Sequence, residues 1–211
     1  MSDFLTRLTA ALEAHEPSRV RQVGAREAAV LIPIVALPTP TMIFTKRTDS
    51  VGSHKGQISF PGGSQDDGDG SMRITALRET EEEIGLDPSH VKILGELDTF
   101  PTFVSGYVVT PYVGWLDKEP SLVPNPAEVA ELLHVPISDL TNEIRADAGF
   151  VHADRTYPTE AWVWNDNVIW GVTARILRQF LDILGEAGLA DTPDGNFDWA
   201  IPPAGHPSRE P

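Results

Sequence analysis

"FPGGSQDDGDGSMRITALRETEEEIGL", residues 60–86, decides how the chain is read. Strand geometry has to stop at Pro61-Gly62-Gly63. The stretch that follows turns acidic, and residues 71–85 then have the pattern of a helix, with Ser71 placed to cap its start and Gly85 to end it. At about 100° of rotation per residue, Glu79, Glu82 and Glu83 fall within roughly one-third of the helix circumference. Ile74, Leu77, Thr80 and Ile84 gather on the opposite side, and Glu81 lies at the edge of that arc. The spacing therefore predicts a helix that packs its apolar side on a sheet and points its carboxylates into a cleft.

Carboxylates one turn apart repel one another, which destabilises the helix and raises their pKa values. A hard divalent cation cancels that cost. Carboxylate oxygens are the ligands magnesium and manganese prefer, and magnesium combines a few of them with phosphates and waters. Taken alone, a run of glutamates is more often a solvated face of an acidic protein.

Upstream, "AAVLIPIVAL" and "TMIFTKRT" read as strands, "DSVGSHKG" as a loop and "QISF" as the strand entering the glycine pair. Downstream, "VKILGELDTF" and "GYVVTPYVGWL" read as strands, and "PAEVAELLHVPISDL" as a short helix with a connection. "AWVWNDNVIW" is a hairpin candidate turning at Asn165-Asp166-Asn167. Val172, Ile176, Leu177, Phe180, Leu181 and Leu184 recur at helical spacing. Residues 2–14 have the spacing of an amphipathic helix through Phe4, Leu5, Leu8 and Leu12. The chain is mixed α/β in one layered unit.

The 211 residues include 31 acidic and 16 basic side chains, a formal charge of -15. Such a surface repels phosphate backbones, so no nucleic-acid partner is expected. A phosphorylated ligand must be held by a few local cations or by metal. The absence of cysteine excludes disulfides, thiolate zinc sites and cysteine nucleophiles. With neither a signal-peptide pattern nor a membrane-length apolar run, a cytoplasmic protein with no membrane partner is expected.

The glycine pair, acidic loop and "RETEEEIGL" together resemble the Nudix hydrolase box. Arg78, Glu79, Glu82, Glu83, Gly85 and Leu86 meet its second half position by position. Thr80 stands where an aliphatic residue is usual. The interval from Gly63 to Arg78 is one residue longer than the consensus, and the upstream glutamate is replaced by Asp67 or Asp69. The resemblance implies an α/β (α+β) fold, a Nudix-type α/β/α sandwich with a mixed sheet. It implies residues 26–188 as the Nudix domain, residues 1–25 as a helix packed on it, and residues 189–211 as a loosely held tail.

The longer segment resembles the Nudix branch that includes coenzyme A pyrophosphatases. Thr45, Arg47, His54, Gly56, Gln57 and Phe60 to Gly63 fall in register, and "IWGVTARIL", residues 169–177, is similar to a later segment of that branch. Thr48 and Gly52 depart from it, Gly52 removing a usual basic residue. The resemblance implies Mg2+ or Mn2+ held by Glu79, Glu82 and Glu83, with Arg78 orienting a glutamate. Arg47, Lys55, Gly62 and Gly63 are the implied substrate contacts, with Lys46 a further local cation. Glu83 is a base candidate after its ligand role, and Glu128 an additional carboxylate. His54 is weighted toward a structural role, and Trp162, Trp164 and Trp170 toward packing.

The implied substrate is a small nucleoside diphosphate derivative, foremost coenzyme A or an acyl-CoA, cleaved to 3',5'-ADP and 4'-phosphopantetheine. ADP-ribose, a dinucleotide or a nucleoside triphosphate are alternatives, as is a catalytically silent binding module or regulator. A homodimer is left open as the assembly.

Overall fold

The computed structural model describes residues 2–48, 56–102, 105–152 and 155–191. Among the described residues, three α-helices, α1 (Ser2–Ala14), α2 (Met72–Ile84) and α3 (Gly171–Glu186), accompany eleven strands. The strands are β1 (Arg26–Val35), β2 (Thr41–Arg47), β3 (Ile58–Ser59), β4 (Gly62–Ser64), β5 (Lys92–Glu96), β6 (Phe100–Pro101), β7 (Tyr107–Leu116), β8 (Val129–Pro136), β9 (Arg145–His152), β10 (Arg155–Trp164) and β11 (Asn167–Trp170).

The main sheet runs β3-β2-β1-β7-β5, with β4 also paired to β1, β6 to β7 and β8 to β2. β1 and β7 are parallel from Arg26↔Tyr107 to Val35↔Leu116, and their other neighbours are antiparallel. β1 is an almost unbroken apolar run because both its faces are covered. Ile32 and Ile34 pack with Leu8 and Leu12 of α1 and with Leu177 and Phe180 of α3. Ala29, Leu31 and Val35 pack on the other side with Ala76 and Ile84 of α2. The result is an α/β/α sandwich on a mixed sheet. β9, β10 and β11 form a separate three-stranded sheet.

The hairpin turn has Asn165 and Asp166 at φ of 46° and 63°, the pair of left-handed residues a two-residue I′ loop needs. Asn167, expected in the turn, already pairs with Trp164 as the first residue of β11. Two other expectations are corrected. "PAEVAELLHVPISDL" forms no α-helix: residues 129–136 are β8, paired to β2 through Phe44↔Leu133 and Met42↔Val135. Ala130, Glu131, Leu132 and Leu133 favour helix locally, but covering the edge of β2 and burying Val129, Leu133 and Val135 outweighs a weak propensity.

The second correction concerns the face of α2. Its buried residues are Thr75, Ala76, Thr80, Glu83 and Ile84, while Ile74 is 49% exposed. The helix is thus turned by about 100°, roughly one residue, from the predicted orientation. Small side chains at Thr75, Ala76 and Thr80 let its backbone lie close over the sheet, and the turn brings Glu83 under cover.

Candidate active site

Local chemistry sets α2 in place. Ser71 Oγ accepts the Ile74 N–H at 3.4 Å, and Gly85, at φ 69°, ends the helix by donating to the Glu81 carbonyl at 2.8 Å. The preceding loop is closed by Asp69. Its carboxylate accepts from the Asp66 N–H at 3.0 Å, from Thr75 Oγ1 at 2.9 Å, and from Arg78 Nε and Nη2 at 3.0 and 2.9 Å. The Arg78 bond, first among these, holds Asp69 well below the usual carboxylate range. Of the two aspartates offered for the missing upstream glutamate, Asp69 meets Arg78, whereas Asp67 is exposed.

Arg78 distributes the remaining contacts. It reaches Glu79 Oε1 at 3.0 Å, Glu82 Oε2 at 3.1 Å and the Ser64 carbonyl at 3.1 Å. Its bond to Asp69 is the main reason its own proton is held more tightly than usual. Glu79 is the next carboxylate along; burial raises its pKa, and Arg78 opposes that shift. Glu82 is different: its side chain is 59% exposed and stays beside Arg78.

Glu83 is the most enclosed of the three, 6% exposed. It accepts the Gly62 N–H on Oε2 at 3.1 Å. Burial pushes it up to about 7, the Gly62 bond and Arg47 pull it down, and Glu128 and Glu79 push it further up. The glycine pair makes this approach feasible. Gly62 sits at φ 151° against β1, and a Cβ on Gly63 would overlap the Glu79 carboxylate.

Glu79, Glu83, Glu128, Arg47, Gly62 and Gly63 line one cleft of about 590 Å³. Arg47 contributes a buried Nε that makes no hydrogen bond. The cleft does not include Glu82 or Lys46, whose Nζ turns to Asn167 Oδ1 at 3.1 Å and Glu131 at 3.6 Å. His54 and Lys55 lie outside the described residues. Arg26, Tyr107 and Arg175 line the cleft as well and have no local sequence signal. They arrive through the pairing of β1 with β7 and the packing of α3.

Among the described residues no group of three His, Asp or Glu side chains is arranged to hold one metal ion. On α2, Glu82 lies against Arg78 and outside the cleft. The donor chemistry of the cleft nevertheless fits a hard cation. Glu79 and Glu83 are oxygen donors whose charge burial disfavours, Glu128 adds a third carboxylate to the lining, and magnesium is commonly bound by one or two protein carboxylates.

A family model described as NUDIX domain matches residues 25–155. A protein of Photorhabdus laumondii named uncharacterized Nudix hydrolase NudL is 38% identical over 182 residues, covering 85% of this chain and 95% of that protein. One of the same name from Pectobacterium atrosepticum is 37% identical over 192 residues, covering 85% and 92%. A solved structure, the MutT/nudix family protein from Enterococcus faecalis, superposes with a TM-score of 0.55 at 14% identity, covering 88% of this chain and 70% of that one, a likeness of fold. With the domain matched over most of the sandwich and relatives aligned nearly end to end, the chain belongs to the Nudix family of hydrolases.

Proposed function

We propose that the protein is a metal-dependent hydrolase of the pyrophosphate link in coenzyme A or an acyl-CoA, releasing 3',5'-ADP and 4'-phosphopantetheine. The observation that carries this reading is a buried carboxylate, Glu83, set against a glycine-pair backbone in a cleft that also holds Glu79, Glu128 and Arg47. Glu79 and Glu83, with Glu82 if it leaves Arg78, would hold Mg2+ or Mn2+. When bound, the metal supplies charge neutralisation for the pyrophosphate and activation of water.

The chain's own residues supply position. Asp69 fixes Arg78, and Arg78 fixes the Glu79 carboxylate at the cleft wall. Arg47 brings a half-buried guanidinium, its Nε without a hydrogen bond, to act on Glu83 from the same cleft, and we assign it to a phosphate oxygen of the substrate. Glu128, on the same wall, is an additional carboxylate for orienting water. Little covalent chemistry is asked of any of them, so positioning and electrostatics carry the rate. The fit to the coenzyme A branch rests on Thr45, Arg47, Gly56, Gln57 and Phe60 to Gly63 standing in register.

The test is a substrate panel: coenzyme A, ADP-ribose, NADH and nucleoside triphosphates, each with Mg2+ or Mn2+, with products identified by mass. Coenzyme A is expected to be cleaved at least about tenfold faster than the others, a margin of about 1.4 kcal/mol in the barrier. A faster reaction with ADP-ribose or a triphosphate would replace the substrate assignment. Tight binding with no product from any of them would replace hydrolysis with a binding role.

A further inference from the structure

We propose that Arg175, held at β6, and Arg26, held at the start of β7, form a second anion subsite that takes a phosphomonoester carried by the substrate apart from its pyrophosphate. The proposal rests on the substrate being a nucleoside diphosphate derivative and adds which part of it these arginines read.

Both arginines line the same cleft as Glu79 and Glu83. They are also tied to one short piece of backbone. Arg175 Nη1 donates to the Pro101 carbonyl at 2.8 Å, and its guanidinium lies 5.3 Å from the centre of the Phe100 ring. The next residue, Thr102, is locked to Tyr107: its N–H donates to the Tyr107 carbonyl at 2.8 Å, and its Oγ1 accepts the Tyr107 N–H at 2.8 Å. Arg26 then lies over the Tyr107 ring at 4.1 Å, with its own N–H donating to the Gly106 carbonyl at 3.0 Å. Two guanidinium groups are therefore held beside the end of β6 and the start of β7.

The register of β1 separates Arg26 and Tyr107 from the carboxylates. Gly62, which donates to Glu83, pairs with Val30, whereas Arg26 pairs with Tyr107. Four residues of strand span about 13 Å, so the cleft has an acidic end and a basic end. Arg47 belongs to the acidic end, where its charge acts on Glu83. In a chain of net charge -15, a phosphate without a metal needs local cations, and a guanidinium fork matches its oxygens.

The two arginines have different parts. Arg175 is 5% exposed, so its guanidinium is held in one place and acts in a poorly screened environment. Burial lowers its pKa only to about 10, which leaves it charged at neutral pH. Arg26 is exposed, and its guanidinium is held over the Tyr107 ring rather than buried.

Adenosine 3',5'-bisphosphate and adenosine 5'-monophosphate, titrated calorimetrically into the full chain with Mg2+, separate this subsite from turnover. The wild type is expected to bind the bisphosphate at least about tenfold more tightly, as a pair of charge-assisted contacts would give. Arg26→Gln should cut that preference several-fold. Arg175→Lys, which keeps the charge and loses the fork, should do the same. Equal affinities in the wild type, or a preference unchanged in both variants, would overturn the subsite. Because Arg26 is exposed, its variant is informative even if the buried position tolerates no change. Failure to hydrolyse coenzyme A with the binding preference intact would overturn the proposed activity alone, and hydrolysis without the preference would overturn the subsite alone.

Discussion

Glu83 combines burial with a single backbone hydrogen bond, and both its activity and its titration can be tested. Glu83→Gln keeps the shape and the contact to Gly62 while removing the charge. Turnover is expected to fall at least about 100-fold with the circular dichroism spectrum unchanged, and a folded variant with near-normal turnover would remove Glu83 from the reaction. The titration follows from the same burial. The folded carboxylate sits at about 7 against an ordinary 4.5, so the fold favours the protonated form. Its contribution to stability is whole below about pH 4.5 and is lost as pH rises through about 7. In EDTA, urea unfolding should show up to about 3 kcal/mol of stability lost between pH 5 and pH 8, and Glu83→Gln should lack that slope. Asp69 behaves in the opposite sense, because Arg78 stabilises its charged form. Asp69→Asn is expected to cost about 2 kcal/mol in urea titrations at pH 7 and to lower kcat, since Arg78 would no longer be anchored.

At the scale of elements, α2 shows what local sequence can and cannot specify. Its ends were legible because caps are local: Ser71 and Gly85 act within one turn of the chain. The turn at Asn165 and Asp166 was legible for the same reason, as these residues tolerate positive φ. The rotation of α2 was not, because hydrophobic periodicity selected Ile74, whereas close packing selected Thr75, Ala76 and Thr80. β8 was hidden by helix-favouring residues, and only the presence of β2 beside it makes a strand the better partner. The choice of Asp69 over Asp67 depended on how the loop folds back on Arg78, and Arg26 and Arg175 reach the cleft through contacts dozens of residues apart. The junction of β4 with α2 gives a direct test. Gly63→Ala places a methyl group on the Glu79 carboxylate. It should lower kcat about tenfold or more while leaving the secondary structure intact, measured by steady-state kinetics beside circular dichroism.

Across the whole molecule, the two helices on the α1/α3 side share one core with the sheet. Leu8 and Leu12 of α1 are buried with Leu177, Phe180 and Leu181 of α3, while α2 and the carboxylates occupy the other face. Among the described residues no helix is long and apolar enough to cross a membrane. Arg7 of α1 closes this arrangement by donating from Nη2 to the carbonyls of Ala187 and Gly188, just past the end of α3. Arg7 thereby clasps α1 to the end of α3. That clasp brings α1 close to the end of α3: a short Gly/Ser bridge from the residues after Gly188 to the start of α1, with new termini cut at exposed Lys118, should yield a rearranged polypeptide that folds and retains catalysis. Insoluble or unfolded product from that permutant would show that the order of synthesis, rather than the proximity of these two segments, governs assembly.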